Sequence, residues 1–482
     1  MARPRLSVLS ELDKEFVHAK ALWVLESVGI AFNSERALAA LERVGARVDH
    51  SRLTATLPRA AVEQALEMAP RTLHLAARDP AHDLTIDDES PLICTTDGEA
   101  SLVMDDVTGE VHEATLDDLA HYFSLFDALP EIDYVWTSLT SRELDPAKAG
   151  LDAELLALSS TAKHVQSVVA HDPAEVPVLL EMLEAIAGAS LAERPIYSSL
   201  SCPLSPLQFE GAKLDASLAL AQRGVPILVV PVPQMGTTGP MSVLGTAVVH
   251  MAELLAAIVL YQSVAPGCQV CSCVGAAVGD MRTGSYLCGT PEVGLLNAMC
   301  IEMAKSYGLP TMGSGITSDA KAVNYQAGSE GMLTGLAIGL AGADILLSAG
   351  LIDSAQVLTP AKLVLDCDAI GAIRRFLSGT GVDDDEALLD DIARVGVGGH
   401  YLSQPSTRAR WRAGEVWRPR VFQRGSLGVY TDKPLLQEAQ EQAEALLTAH
   451  EVLPLPEDVR RHVESLLSSW SVSCPVTRNE SH

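Results

Sequence analysis

Apolar positions along the chain change period twice. Between residues 10 and 70 they recur at helical spacing: Leu22, Leu25 and Val28, then Leu38, Leu41 and Val44, then Ala60 to Met68 ahead of Pro70. This predicts a helical N-terminal cap. From 72 to 113 the helical period gives way to short β-rich pieces, LHLAA, DLTID, LICTT and SLVMDD, broken by Asp, Pro and Gly, which predict hairpins leading into a main domain.

Beyond that a unit repeats: an apolar run, a polar or glycine loop, then an amphipathic stretch. The expected strands are Ile93–Thr96, Tyr134–Leu139, Val165–Ala170, Ile196–Ser201, Pro226–Val232, Gln269–Val274, Pro310–Gly315 and Asp344–Ser348. Helix-like stretches follow near 115–128, 150–161, 174–187, 208–223, 241–264, 291–307, 327–341 and 360–377. Alternating β and α segments imply parallel strands with right-handed crossovers, and eight units imply an α/β fold, a closed (β/α)8 TIM barrel with helical N-terminal and C-terminal additions. An open doubly wound sheet is the alternative. The expected divisions are 1–90 for the cap and hairpin lead-in, 91–378 for the barrel and 379–482 for a C-terminal extension packed on it.

Composition narrows the function. With 48% hydrophobic residues in 482, a large core can be buried. A net charge of −28 argues against a nucleic-acid partner and fits a cationic small molecule, a basic protein face or plain solubility. Six arginines between Arg408 and Arg424, with Trp411 and Trp417 among them, could dock an acidic partner or a phosphate-bearing cofactor; internal ion pairs are the default. The N-terminus mixes acids and bases and is not a secretory signal, so a cytoplasmic protein is expected. Two apolar runs, Gly245–Val264 and Gly335–Ile352, approach membrane length, but His250, Glu253 and Asp344 interrupt them; buried barrel elements are the expectation and no membrane partner. The nine cysteines fit reduced thiols in a core, and the large apolar helices favour a homo-oligomer.

Dinucleotide, P-loop, serine-hydrolase and zincin motifs are all missing. What remains are polar residues where strands end: His171, Gln234, Asp280 and Arg282, and then Asp319 and Lys321, with Gln326 and Glu330 close behind. In a barrel these share the C-terminal mouth; a structural hydrogen bond within a loop is the competing reading for each. The stretch from Gln234 to Ser242 reads as a glycine-rich turn with Pro240 at a helix start, whose N–H groups could hold an anion or simply serve the turn. Cys271 and Cys273 alternate on one strand, so their thiols share a face, and a zinc site with His171 or His400 can be drawn from them.

Six ordered segments, GTTGPMSVLGTAVVHMAELLAAIVL, GDMRTGS, GTPEVGLLNAMCIEMAKSYGLP, SDAKAVNYQAGSE, LAGADILLSAGLIDS and GGHYL, together resemble the trimethylamine methyltransferase family of corrinoid-dependent enzymes. The likeness spans residues 15 to 425. It implies a TIM barrel and transfer of a methyl group to the Co(I) of a corrinoid (cobalamin-type) carried by a partner protein, with no bound metal. Only standard residues occur, as in the non-pyrrolysine branch, which resembles glycine betaine methyltransferases, so a betaine-type quaternary amine is the expected substrate. Such an amine leaves as a neutral molecule and needs no proton, so the barrel has only to align one N-methyl and exclude water. Asp280 and Arg282, from their strand-end position, and His400, from the GGHYL segment, are the catalytic candidates, and the carboxylate end of a betaine would be held by Arg282, Lys321 or a helix N-terminus. Lys321, Asp319, Gln326, Glu330, His171, Gln234, Tyr197 and Trp136 are the substrate-binding candidates. Aromatic residues are scarce, 4% of the chain, so a cage around the ammonium would draw on Trp136 and Tyr197 with Tyr286 and Tyr325. Two competitors stand beside this reading: a zinc-dependent barrel methyltransferase working through Cys271 and Cys273, and a barrel that binds a betaine without turnover.

Overall fold

The computed structural model describes residues 4–98, 100–145, 148–168, 173–380, 386–426 and 433–470. Each apolar run of the repeat becomes a short strand: β1 (Ile93–Cys94), β2 (Val135–Trp136), β3 (Val165–Val168), β4 (Tyr197–Ser201), β5 (Ile227–Val229), β6 (Val270–Val274), β7 (Thr311–Ser314) and β8 (Ile345–Leu347). Their neighbour order is β1-β8-β7-β6-β5-β4-β3-β2, parallel throughout. The ring closes between β1 and β2 without a ladder. The seam is made by Asp133 N to Cys94 O (2.8 Å), Cys94 N to Asp133 Oδ2 (2.7 Å) and two hydroxyls, Thr95 Oγ1 donating to Tyr134 O and Thr96 Oγ1 to Trp136 O, each at 2.9 Å. Past the strands, Ala100 bridges to Leu139 through Ala100 N to Ser138 O (2.9 Å) and Thr140 N to Ala100 O (3.0 Å).

The helices between strands are α1 (Leu116–Ala128), α2 (Ala149–Ser160), α3 (Val176–Ala187), α4 (Gly211–Ala221), α5 (Val243–Val264), α6 (Pro291–Ser306), α7 (Tyr325–Ala341) and α8 (Pro360–Leu377). Several start on a side-chain cap: Thr115, Ser242, Thr290, Asn324 and Thr359 each accept an N–H of the first turn. For α5 the cap is Ser242, so Pro240 precedes the helix instead of opening it; its carbonyl accepts Thr246 Oγ1 at 2.8 Å.

Strand parity sorts the side chains. Tyr134, Trp136, Leu228, Cys271, Cys273 and Met312 face the lumen, while Tyr197, Val229 and Val270 face the helices. A hairpin, Leu73–Leu75 with Leu84–Ile86, inserts Leu73, Leu75 and Ile86 into that same lumen cluster. It is tied to the N-terminal ends of the strands by His74 N to Gln269 Oε1 (2.6 Å) and Ala76 N to Pro195 O (3.0 Å). One end of the barrel is therefore plugged, and only the C-terminal mouth is open for chemistry.

The N-terminal helices Glu11–Ser27, Glu35–Arg43 and Arg59–Met68 pack on α5, along the flank of the barrel. The expected cap is thus a side wall, and the hairpin does the capping. Between these helices Ile30–Phe32 pairs in parallel with Gln208–Phe209 from the loop after β4, and the rings of Phe32 and Phe209 stack 5.0 Å apart. Enclosed by this wall and the barrel, α5 is apolar all round; by composition it could cross a membrane, yet 72% of its apolar window is buried inside the protein. At the other end of the chain Leu435–Ala449 packs on α8 and α1, and Glu457–Ser469 packs on α3.

Candidate active site at the barrel mouth

Asp97 stands three residues beyond the end of β1, after Thr95 and Thr96, at the mouth. It keeps a little solvent access although protein surrounds it, and that burial pushes its carboxyl up to about 6 against the bonds that favour its charge. Those bonds come from Gly98 N (2.8 Å) and from Ser348 Oγ at the end of β8. Burial raises the thiols of Cys273 and Cys288 and the phenol of Tyr286, and the charge of Asp97 adds a smaller push to each, so all three lie within its field. Trp136 closes one side: its Nε1 is buried without a partner among the described residues and lies so near Gly98 that a Cβ there would come within 2.3 Å.

Tyr286 comes from a hairpin, Ala277–Gly279 with Tyr286–Leu287, that rises from β6. Burial raises its phenol, and its hydroxyl makes no hydrogen bond among the described residues. The segment behind it is latched by the polar residues of the β7–α7 loop. Asp319 accepts Cys288 N (2.8 Å), Gly289 N (3.1 Å) and Ser354 Oγ (2.9 Å). Glu330 accepts Ser318 Oγ (2.8 Å), Asp319 N (2.9 Å) and Gln326 Nε2 (2.8 Å). A Cβ at Gly289 would stand 2.6 Å from Glu330 Oε2, so the backbone passes where only glycine fits. Asp319, Gln326 and Glu330 do gather near the mouth as the sequence pattern expects, but their oxygens and amide are spent on holding Tyr286 in place.

Other expected site residues are placed elsewhere. Asp280 and Arg282 sit on the exposed hairpin turn; Asp280 accepts Arg282 N (2.9 Å) and Thr283 Oγ1 (2.7 Å), bonds that hold its carboxyl below the usual range, so turn geometry accounts for both. Lys321 is exposed and paired with Asp353. Gln234 organises its own turn: its carbonyl accepts the N–H groups of Thr237, Thr238 and Gly239, so these are not open to an anion. Tyr197 points out of the barrel, fully buried, with its hydroxyl on Glu154 Oε1 at 3.3 Å; parity puts it on the wrong face for substrate. His171 lies outside the described residues. His400 is exposed on the segment that leaves the C-terminus of α8, whose two ends Arg375 ties together by bonding both Gly379 O and Glu415 O. Cys271 and Cys273 share the lumen face, with burial raising both thiols, and among the described residues no group of three ligating side chains includes them.

The family model described as trimethylamine methyltransferase (MTTB) matches residues 1–469. The chain belongs to the trimethylamine methyltransferase family. It is similar to a trimethylamine methyltransferase of Desulfitobacterium hafniense, 29% identical over 98% of this chain and 96% of that one. It is equally similar, at 29% identity over 92% of this chain and 91% of the other, to a glycine betaine methyltransferase of the same species. In fold it is similar to the crystal structure of the Methanosarcina barkeri monomethylamine methyltransferase, with a TM-score of 0.53 at 12% identity, covering 96% of this chain and 89% of that chain. As a member of the trimethylamine methyltransferase family the protein is an enzyme that transfers methyl groups, and the zinc-thiol and binding-only alternatives are not favoured.

Within this trimethylamine methyltransferase family barrel, Asp97 and Ser348 are the mouth residues that sequence reasoning missed. The signal was present: an acid stands immediately after the apolar run that forms β1, the same strand-end position that singled out Asp280 and Asp319. The rim around them is apolar and open. Leu204, Met241, Met281 and Tyr325 are exposed on loops or helix starts that follow β4, β5, β6 and β7. Met241 and Met281 crowd over Gly236, where a Cβ would lie 2.5 and 3.1 Å from them.

Proposed function

We propose that this protein, in the cytoplasm, removes a methyl group from a methylated ammonium held at the barrel mouth and passes it to a corrinoid protein docked on the rim. Asp97 is the observation that carries the reading. A carboxylate buried at the mouth, with Trp136 and Tyr286 beside it, suits a quaternary or fully substituted ammonium: the acid supplies attraction and the ring faces supply weak, orientable contacts. Ser348 and Gly98 already share the charge of Asp97, which limits its pull on the ammonium. That matters because positive charge leaves nitrogen during transfer, so an unshared carboxylate would stabilise the ground state more than the transition state. The lumen below is apolar and plugged, which keeps water from the reacting carbon.

The corrinoid carried by a partner would supply the reduced cobalt that accepts the methyl group. The exposed apolar rim of Met241, Met281, Leu204 and Tyr325 fits a protein face brought close to the mouth. Beside Asp97, the site reads the ammonium end of the substrate. Both trimethylamine and betaines present that end. The test mixes the protein with a Co(I) corrinoid protein and a panel of trimethylamine, glycine betaine, proline betaine, carnitine and choline, and follows loss of the Co(I) absorbance. Turnover with a panel member is expected. Thermal-shift evidence of binding together with no cobalt methylation anywhere in the panel would overturn the reading.

A further inference from the structure

A buried ion pair sits in the first two turns of α8, against the loops that leave β7 and β8. Lys362 is 2% exposed and Asp366 5%, and the ammonium donates to both carboxylate oxygens at 2.6 Å. Helix stability does not explain the pair. A cation in the first turn opposes the helix dipole, and a lysine four residues ahead of an acid is the weaker of the two orders. Burial strips both charges of their hydration, and it raises the carboxyl of Asp366 against the pull of Lys362. What the pair does make is two further contacts, one into each loop. Lys362 Nζ also donates to Ile316 O (3.4 Å), and Asp366 Oδ2 accepts Gly350 N (2.8 Å).

Both contacts fall where a loop turns away from its strand through left-handed backbone. Ile316, two residues past β7, has φ +57°; Ser348, directly after β8, has φ +93°, with Gly350 at +91° close behind. A residue with a side chain keeps such a conformation only where its surroundings impose it. Each loop then carries one half of the site. Ile316 leads into Thr317 and Asp319, where Thr317 Oγ1 donates to Cys288 O (2.7 Å) and Asp319 accepts Cys288 N (2.8 Å), two residues from Tyr286. Gly350 is two residues from Ser348, whose hydroxyl donates to Asp97. Further along, the same two loops meet again: Ser354 N donates to Ser318 O (3.0 Å) and Ser354 Oγ to Asp319 (2.9 Å). We propose that Lys362 and Asp366 are positioning residues for the methyl transfer, their pair clamping the bases of both loops and so holding Ser348 on Asp97 and Tyr286 beside it. The inference rests on the reading of Asp97 as the seat of the ammonium.

Two double variants of the full-length protein separate the arms of the clamp. The first, Lys362→Met/Asp366→Leu, releases both loops; the second, Lys362→Met/Asp366→Asn, keeps an acceptor for Gly350 N and releases Ile316 alone. Replacing both partners of a buried ion pair by uncharged residues is often neutral for stability, so both variants are expected to melt within about 5 °C of the wild type. Carbon NMR of protein carrying isotope-labelled aspartate follows the Asp97 carboxyl itself, its signal assigned by its loss in Asp97→Asn. In the wild type it titrates at about 6. The Ser348 hydroxyl favours the charged form, so losing it is expected to raise the midpoint by about one pH unit in the first variant and to leave it unmoved in the second. Cys273, Cys288 and Tyr286, the titratable groups in the field of Asp97, are raised by burial and stay neutral through this range. With a panel amine that turns over, the second variant is expected to lose at least about 10-fold in kcat/KM as Tyr286 shifts. A wild-type midpoint in the folded first variant would overturn the proposal. So would undiminished kcat/KM in the second, which decides the matter if the first does not fold. If no panel amine turns over, the reaction proposed above fails, and the NMR midpoint still decides whether the clamp acts on Asp97.

Discussion

Asp97 is the residue on which binding should turn. Removing its charge takes away the attraction for the ammonium while leaving the shape of the mouth, so Asp97→Asn is expected to raise KM at least about 10-fold with a smaller change in kcat. Its titration gives a second signature. With the carboxyl raised to about 6, the charged form that holds a cation is lost as pH falls through that value. KM in the wild type should therefore climb below about pH 6, and the Asn variant should show no such climb; parallel pH profiles would remove Asp97 from the site. Gly289→Ala tests the latch on Tyr286. The new Cβ meets Glu330 Oε2 at 2.6 Å, so Glu330 must withdraw from Ser318 and Asp319. The expected stability cost is about 1–3 kcal/mol, measured by denaturant unfolding, together with a fall in kcat/KM as Tyr286 loses its support.

At the scale of elements, α5 carries a buried acid that ties two parts of the fold together. Glu253 accepts Ser205 Oγ (2.8 Å) and Leu207 N (2.7 Å), and so holds the loop whose Gln208–Phe209 strand pairs with the N-terminal wall. Burial lifts its carboxyl to about 7. The unfolded chain releases this proton near pH 4.5 and the folded one does not, so the contribution of Glu253 to stability is complete below about 4.5 and is lost as pH rises to 7. Glu253→Gln keeps an acceptor for Leu207 N and removes the titration. The variant is expected to gain on the wild type by an amount on the order of 2–3 kcal/mol between pH 5 and pH 8, read as a widening difference in melting temperature. A difference that does not change with pH would show that Glu253 holds no proton in the folded state.

The elements were also where the sequence was most legible. Each of the eight expected strands and helices forms within a few residues of its expected place, because an apolar run ending in glycine or a polar residue admits little else. The mouth was less legible because facing is a matter of one residue. Tyr197 and Ser198 are neighbours, and only the observed pairing of β4 with β3 and β5 shows that the tyrosine belongs to the helix layer. Asp319, Gln326 and Glu330 were found as a group, but a latch and a binding site use the same residue types, and only their partners distinguish the two. The N–H groups at Gln234–Gly239 looked available until the carbonyl of Gln234 was seen to take them.

For the whole molecule the dominant fact is its charge. A net charge of −28 on 482 residues is self-repulsive. Salt that screens the repulsion should raise the melting temperature between low and moderate ionic strength, before any lyotropic effect sets in. A melting temperature that falls over that range would mean that ion pairs such as Arg420 with Glu131 and Lys305 with Asp344 outweigh the repulsion.

The threonine seam has a consequence for how the chain comes off the ribosome. β1 is the first barrel strand to be synthesised, yet its ladder partner is β8, the last, and its seam with β2 has no ladder. While translation proceeds, β2 through β7 can add to one another in order, and Ile93–Cys94 must wait with an unpaired edge until Ile345–Leu347 emerges. Closure of the ring is thus a late, long-range event, and it is also the event that brings Ser348 to Asp97. A nascent chain stalled before β8 would have nearly the whole barrel and no finished mouth.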